Sequence, residues 1–425
     1  MIDRYTLAPM KEHWTLQAQY ERWLEVELAA LTALEEHNRV PAGTSAAVKK
    51  AAHIDLGRIE AIEQEIGHDL LAFLRSLEEQ VGEVGRFIHH GLTSSDVKDT
   101  ALSLQMRDAL ALILKEATGL VAELRNQARQ YQDLVMVGRT HGLHAEPTTL
   151  GLKFFLWSEE MSRNIERLKR AKETISVGKF SGPVGTYSQI APEVEAHACR
   201  TLDLQPASVS SQILQRDRHA EVLAAIAITA ATLEKIALEI RHLSRTEIGE
   251  VEEPRPEGSS SMPHKRNPIT CERICGLARV LRGNLQPALE NIALWHERDM
   301  SHSSVERIII PDGFTLIHYM LVKMTGVISG LVIHEEKIQE NLERSRGAIY
   351  SQAILLKLVE RGMTRQDAHA AVETAAKQAF ETGRSFLSVL KETPQVGSLL
   401  KQDDLNEASL SEDLRTTSRR IISGA

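Results

Sequence analysis

Residues 219–248 read HAEVLAAIAITAATLEKIALEIRHLSRTEI. Leu223, Ile226, Ala230, Leu233, Ala237 and Ile240 recur at intervals of three, four, three, four and three, the spacing that lines up side chains along one seam of a helix. No glycine or proline interrupts the run, so it predicts one continuous helix of about 30 residues, ~45 Å long. The alanines in the seam permit close approach of neighbouring helices.

The flanking chain carries the same period. From Trp14 to Leu34 the apolar positions Leu16, Tyr20, Trp23, Leu24, Leu28, Leu31 and Leu34 recur at helical spacing, with no glycine or proline before Pro41. Further long helices are expected from Asp96 to about Tyr131 behind caps at Ser94 and Ser95, and from Pro147 to about Lys172. Two more are expected from Asn267-Pro268 toward Trp295, and from Pro311 to Leu331. Alternation of the strand type is hard to find. The expected fold is all-α, with a central bundle of long helices exposing more apolar stripe than one chain covers, so self-association follows. Breaks near Gly91 and Ser345 suggest an N-terminal helical domain at 1–92, a central bundle domain at 93–345 and a C-terminal helical domain at 346–425.

Composition narrows the class. The chain has 425 residues, 42% hydrophobic and 25% charged, which fits a globular protein and excludes wholesale disorder. Fifty basic against 58 acidic residues give a net charge of −8 with no basic block, which argues against nucleic acid as a partner. Aromatics are 4%, so the core is aliphatic. The longest uncharged apolar run, Val222–Leu233, is far short of the ~20 residues that span a bilayer. The N-terminus has no apolar signal core, so the expected location is the cytoplasm, away from membranes. Cys199, Cys271 and Cys275 are read as reduced thiols, since no C-x-x-C pair is present.

The chemistry concentrates in residues 249–268, GEVEEPRPEGSSSMPHKRNP. Gly258 and three serines make a loop with free backbone N–H groups, Lys265 and Arg266 supply charge, and a helix starts at Asn267-Pro268. Loop amides, a cation and a helix N-terminus together suit a carboxylate or phosphate; a plain surface linker is the alternative reading. His141 and His144 have the spacing of a metal pair, but no third ligand accompanies them. No P-loop or G-x-G-x-x-G turn is present, so a nucleotide would be held by donors from separate segments.

The run Gly258-Ser259-Ser260-x-Met262-Pro263-x-Lys265-x-Asn267-Pro268 resembles the signature of the fumarase/aspartase superfamily at every fixed position. Other segments extend the resemblance over nearly the whole chain to the purine-pathway branch, the adenylosuccinate lyases. These are Arg4-Tyr5, His68-Asp69, His89–Asp96, Gly138-Arg139-Thr140-His141-Gly142, Leu214–His219 and Trp295–Arg307. The resemblance implies an all-α homotetramer with active sites shared by three subunits, no cofactor and no metal. The implied substrate is a succinylated purine nucleotide, from which fumarate is eliminated. A base takes a proton beside a carboxylate, an acid protonates the departing nitrogen, and donors stabilise the charge between.

Residue by residue, the resemblance implies Ser259 as base, with Lys265 and Asn267 on the carboxylate where charge accumulates. His141 becomes the acid, Glu272 its partner, and His68 a further member of the catalytic set. Arg4, Tyr5, Asp69, His89, Thr93, Ser94, Thr140, Gln212, Ser260, Arg298, Ser303 and Arg307 match substrate-binding positions. Two rivals remain: another lyase of the superfamily, such as argininosuccinate lyase, and a catalytically silent structural protein like the lens crystallins.

Overall fold

The computed structural model of the chain describes residues 2–254, 257–258, 261–401 and 403–424. Helix makes up 69% and the sheets are small, which establishes the all-α class. The predicted stripe is realised in the helix Asp217–Leu243, where Leu223, Ile226, Ala230, Leu233, Ala237 and Ile240 are all buried. The other long helices are Leu16–Glu36, Ser94–Gln130, Leu150–Ile175, Ile269–Glu290 and Ser301–Ser329. Among the described residues no helix is long and apolar enough to cross a membrane.

The chain divides into two compact units, and the cut falls within each of the five long helices of the middle of the chain. One unit comprises Met1–Thr118, Arg163–Ala231 and Gly276–Val322; the other comprises Gly119–Ser162, Thr232–Cys275 and Lys323–Ala425. The first unit's core includes an aromatic cluster. Tyr20 stacks on Phe73 at 5.7 Å between ring centroids, and Trp23 meets Phe73 edge-on at 5.6 Å. Helix Ser94–Gln130 is locked there by a buried ion pair between Lys179 and Asp96, whose other oxygen accepts the Thr93 backbone N–H at 2.8 Å. Buried pairs of this kind fix geometry, because breaking one leaves an uncompensated charge. In the second unit Val135 and Val137 join Leu358, Phe386, Leu390 and Val396 in one core. Three ion pairs tie its helix segments together: Arg125 to Glu159 at 3.0 Å, Lys153 to Glu239 at 2.6 Å and Lys235 to Glu160 at 2.5 Å.

Several local expectations change. Ser94 and Ser95 are the first residues of their helix, not its caps; Asp96 reaches back to Thr93 in the manner of a capping box. Pro147 lies in a strand, and the helix starts at Leu150. Pro311 sits inside Ser301–Ser329 rather than at its start. The turns before it are held by Glu306, which accepts from the buried Arg216, and by His302, which bonds to Glu306 and Arg298, so tertiary pairing outweighs the lost proline donor.

The segment before Pro147 also differs from the helical expectation at His141. His141 lies at the tip of a hairpin formed by Val135–Thr140 and Leu143–Thr149. Thr140 pairs with Leu143, and His141 and Gly142 have φ of 54° and 79°. Two central residues with positive φ match the type I′ turn, whose twist fits a two-residue hairpin loop. Gly138 marks an irregularity in the register, and a Cβ there would lie 2.5 Å from the Glu146 carbonyl oxygen.

Candidate active site

The first unit contains a cavity of about 490 Å³ lined by cations, carboxylates and apolar side chains. Trp14, Trp23 and Leu102 line it beside Lys98, Arg216, Arg298 and Arg307, and Ser303 also faces it. A flat apolar wall with several fixed cations suits a nucleotide or another anion with an unsaturated ring.

Each cation is fixed by a partner. Asp69 Oδ1 accepts from Lys98 Nζ at 2.5 Å, and Oδ2 accepts from Arg307 Nη2 at 2.6 Å. Burial alone would raise the Asp69 pKa, but Lys98, then Arg307 and the Leu70 N–H, bring it down to about 2. Arg298 donates to Gln212 Oε1 at 3.2 Å and to His302 Nε2 at 3.3 Å. Behind it the buried Arg216 forks onto Asp99 at 2.5 and 3.1 Å and onto Glu306 at 2.8 and 3.1 Å. Burial opposes both carboxylates' charges, yet Arg216 holds Asp99 below the usual range, and the His302 hydrogen bond followed by Arg216 does so for Glu306. His219, fully buried beside this network, is pushed down to about 4 by desolvation and then by Arg216.

His68 caps the helix Asp69–Val81: its Nδ1 accepts the Leu71 N–H at 3.3 Å. With Nδ1 accepting, the neutral ring carries its proton on Nε2. His89 is held the opposite way, since its Nδ1 contacts the Glu27 carboxylate at 2.7 Å and must donate to it. Burial opposes its charge, but Glu27 and then Asp96 leave the His89 pKa raised.

The first unit thus gathers Asp69, Gln212, Arg298, Ser303 and Arg307 about one cavity, with His68 beside Asp69. Thr93 donates its N–H to Asp96, and Ser94 opens the helix whose Ser95 and Lys98 line the cavity. Arg4 and Tyr5 are not brought to this cluster. Tyr5 lies edge-on to Tyr319 at 5.3 Å, twelve residues beyond Arg307 on one helix, a rise of roughly 18 Å.

The second unit carries the groups read as acid and carboxylate binders. Arg139 forks onto the buried Glu250 at 2.6 and 3.0 Å, and Asn341 Nδ2 donates to the same carboxylate at 2.9 Å. This clamp fixes the strand that leads to the exposed His141. Thr140 is exposed on the last pair of the hairpin. Lys265 is exposed, its backbone N–H bonded to the Met262 carbonyl at 3.0 Å. Asn267 pairs with Glu257 at the loop's base, and Arg266 bridges to Glu252 at 2.9 Å. Ser259 and Ser260 lie outside the described residues.

The start of the helix Ile269–Glu290 differs from the expectation of an open anion site. The buried Glu253 already occupies it, accepting the Thr270 and Cys271 N–H groups at 2.9 Å each. Glu272 is exposed, and no hydrogen bond or ion pair joins it to His141 within the described residues of this chain.

Glu27, Lys98 and Asp99 carry no signal in the sequence, and Arg216, His302 and Glu306 fall in the segments Leu214–His219 and Trp295–Arg307 without a role of their own. The partners of Arg216 lie 117 and 90 residues away, beyond the reach of any periodic signal.

Residues 4–283 match the family described as Lyase, and residues 347–421 the family described as Adenylosuccinate lyase C-terminus. Among curated relatives, the adenylosuccinate lyase of Thermotoga maritima is 47% identical over 410 residues, 96% of this chain and 95% of that protein. That of Synechocystis sp. is also 47% identical, over 411 residues with the same coverage. Among solved structures, the fumarate lyase of Mesorhizobium sp. BNC1 superposes with a TM-score of 0.90 at 27% identity, covering 100% of both chains. The 3-carboxy-cis,cis-muconate lactonizing enzyme of Pseudomonas putida gives 0.88 at 28% identity, covering 99% of this chain and 97% of that one. Identity at this level over nearly the whole length, together with both family matches, means that the chain belongs to the adenylosuccinate lyase family of the lyases.

Proposed function

We propose that the chain is a carbon–nitrogen lyase that eliminates fumarate from adenylosuccinate to leave AMP, and from the succinocarboxamide ribonucleotide (SAICAR) to leave the carboxamide (AICAR). The observation that carries this reading is 47% identity to adenylosuccinate lyases across 96% of the chain. The arginines, the lysine and the tryptophans that line the cavity of the first unit support an anionic, ring-bearing substrate.

In the elimination, a base removes a proton from the succinyl carbon beside a carboxylate. The resulting electron pair forms the fumarate double bond as the C–N bond breaks, and the nitrogen leaves with a proton from the acid. We assign the base to Ser259 and the acid to His141. Lys265 and Asn267 stabilise the carboxylate that accumulates charge. Glu272 of a neighbouring subunit is the partner that holds and charges His141, and His68, fixed as an Nε2–H donor, completes the catalytic set. Arg298, Arg307, Ser303 and Gln212 bind the nucleotide with Asp69, His89, Thr93, Ser94, Thr140 and Ser260, while Arg4 and Tyr5 are supplied from a neighbouring chain.

Assembly into a homotetramer with three-subunit sites belongs to the same reading, as do a cytoplasmic location and the domains 1–92, 93–345 and 346–425. It is supported by the exposed apolar side chains Leu156, Ile228, Leu238, Val280 and Leu289 on the long helices, which are costly to leave in water. Fumarate release from adenylosuccinate, SAICAR and argininosuccinate tests the reaction. Turnover of the first two alone is expected; turnover of argininosuccinate would reassign the branch, and none at all in a tetrameric sample would favour a silent structural protein. Activity should fall with dissociation on dilution.

A further inference from the structure

His89 has a left-handed backbone, with φ of 61°, a conformation that non-glycine residues keep only where their surroundings enforce it. Glu27 enforces it. Its carboxylate is 1% exposed and accepts the His89 backbone N–H at 2.9 Å through Oε2 and the ring Nδ1–H at 2.7 Å through Oε1. A carboxylate only accepts, so Nδ1 carries a proton and Nε2 is the ring nitrogen left for another partner. The His89 side chain is 19% exposed, enough to meet a ligand.

We propose that Glu27 is a positioning residue of this lyase: its two-point grip orients His89 and holds it as an imidazolium whose Nε2–H binds an anionic oxygen of the substrate. This rests on the placement of His89 among the substrate contacts. The charged groups facing His89 are Glu27, from the helix Leu16–Glu36, and Asp96, from the helix Ser94–Gln130. Asp96 is itself bound to Lys179, so Glu27 is the carboxylate with charge to spare for the ring. The neutral ring would present a bare Nε2 lone pair to that oxygen and repel it.

In Glu27→Gln the amide oxygen still accepts the His89 backbone N–H, and the amide NH₂ then meets Nδ1. The ring becomes a neutral Nε2–H donor of unchanged shape, so charge is what the variant removes. Diethyl pyrocarbonate reacts with neutral imidazole, so its labelling of the His89 peptide against pH, read by mass spectrometry, reports protonation directly. The expected results are a labelling midpoint about one pH unit lower in Glu27→Gln and a KM raised roughly tenfold, with kcat within about twofold. In the unmodified protein KM should rise with pH across the labelling midpoint. In His89→Asn, adding Glu27→Gln should raise KM no further. Inhibition by fumarate and by AMP separates the two anions: weakened fumarate inhibition assigns the oxygen to carboxylate, weakened AMP inhibition to phosphate. An unchanged midpoint overturns the positioning role of Glu27. A lowered midpoint with unchanged KM overturns instead the place of His89 at the substrate.

Discussion

Around the cavity of the first unit the charged groups are already paired, the innermost of them buried, whereas in the second unit His141, Lys265 and Glu272 are exposed on a hairpin tip, a loop and a helix surface. Arg216 is satisfied by Asp99 and Glu306 before any ligand arrives. His141 and Glu272 find no such partner among the described residues of their own chain. The difference separates two tasks. Groups that bind are held in advance, so little ordering is left for the ligand to supply. In the proposed reaction the exposed His141, Lys265 and Glu272 are completed by neighbouring chains.

The contrast predicts that reacting groups cost rate and not stability, while binding groups cost stability. The largest effect falls on the reacting side. Ser259→Ala should lower kcat on the order of 10³-fold or more, and His141→Gln by about 10²- to 10³-fold, with melting temperature and substrate affinity nearly unchanged. Fumarate-release kinetics beside calorimetric titration of substrate checks this; a lowered melting temperature would show that these side chains also hold the fold.

Arg216→Met comes next. It strands two buried carboxylates and should destabilise the protein by about 3–5 kcal/mol. Melting at fixed protein concentration measures the loss, and a drop of less than about 1 kcal/mol would mean that water reaches Asp99 and Glu306.

The smallest effect is at Asp69. Its pKa of about 2 in the fold lies below the unfolded carboxylate value, so its stabilisation is present above pH ~4 and is lost as pH falls toward 2. Because the group is partly open to solvent, the contribution is about 1 kcal/mol or less. Asp69→Asn should therefore flatten the melting temperature between pH 5 and 2.5 by a small amount; an unaltered slope would remove Asp69 from the acid response.

Much of the helical frame was legible. The stripe from Leu223 to Ile240 is buried as its period requires, and the helix expected from Asp96 to Tyr131 runs Ser94–Gln130. His68-Asp69 proved to be a cap and an ion-pair hub whose residues fall beside the cavity. The hairpin under His141 was missed because a two-residue I′ turn leaves only a short mark, here His141-Gly142 between two strands rich in small and polar residues. The helix N-terminus after Asn267-Pro268 read as an anion site or a surface linker; the anion there is Glu253, an internal carboxylate that no spacing rule pairs with it.

By itself the sequence determined the course of the helix Asp217–Leu243 and of most of Ser94–Gln130, the face that the first of them buries, and which chemical groups are present in the signature loop and its companion segments. These are local matters, set by side-chain period, by glycine and proline, and by the identity of successive residues. Only the tertiary structure decided that Glu27 grips His89, that Arg216 joins Asp99 to Glu306, and that Glu253 fills the helix end. Those pairings bring together residues from about 17 to 117 positions apart, and such contacts exist only after the backbone has closed the intervening chain.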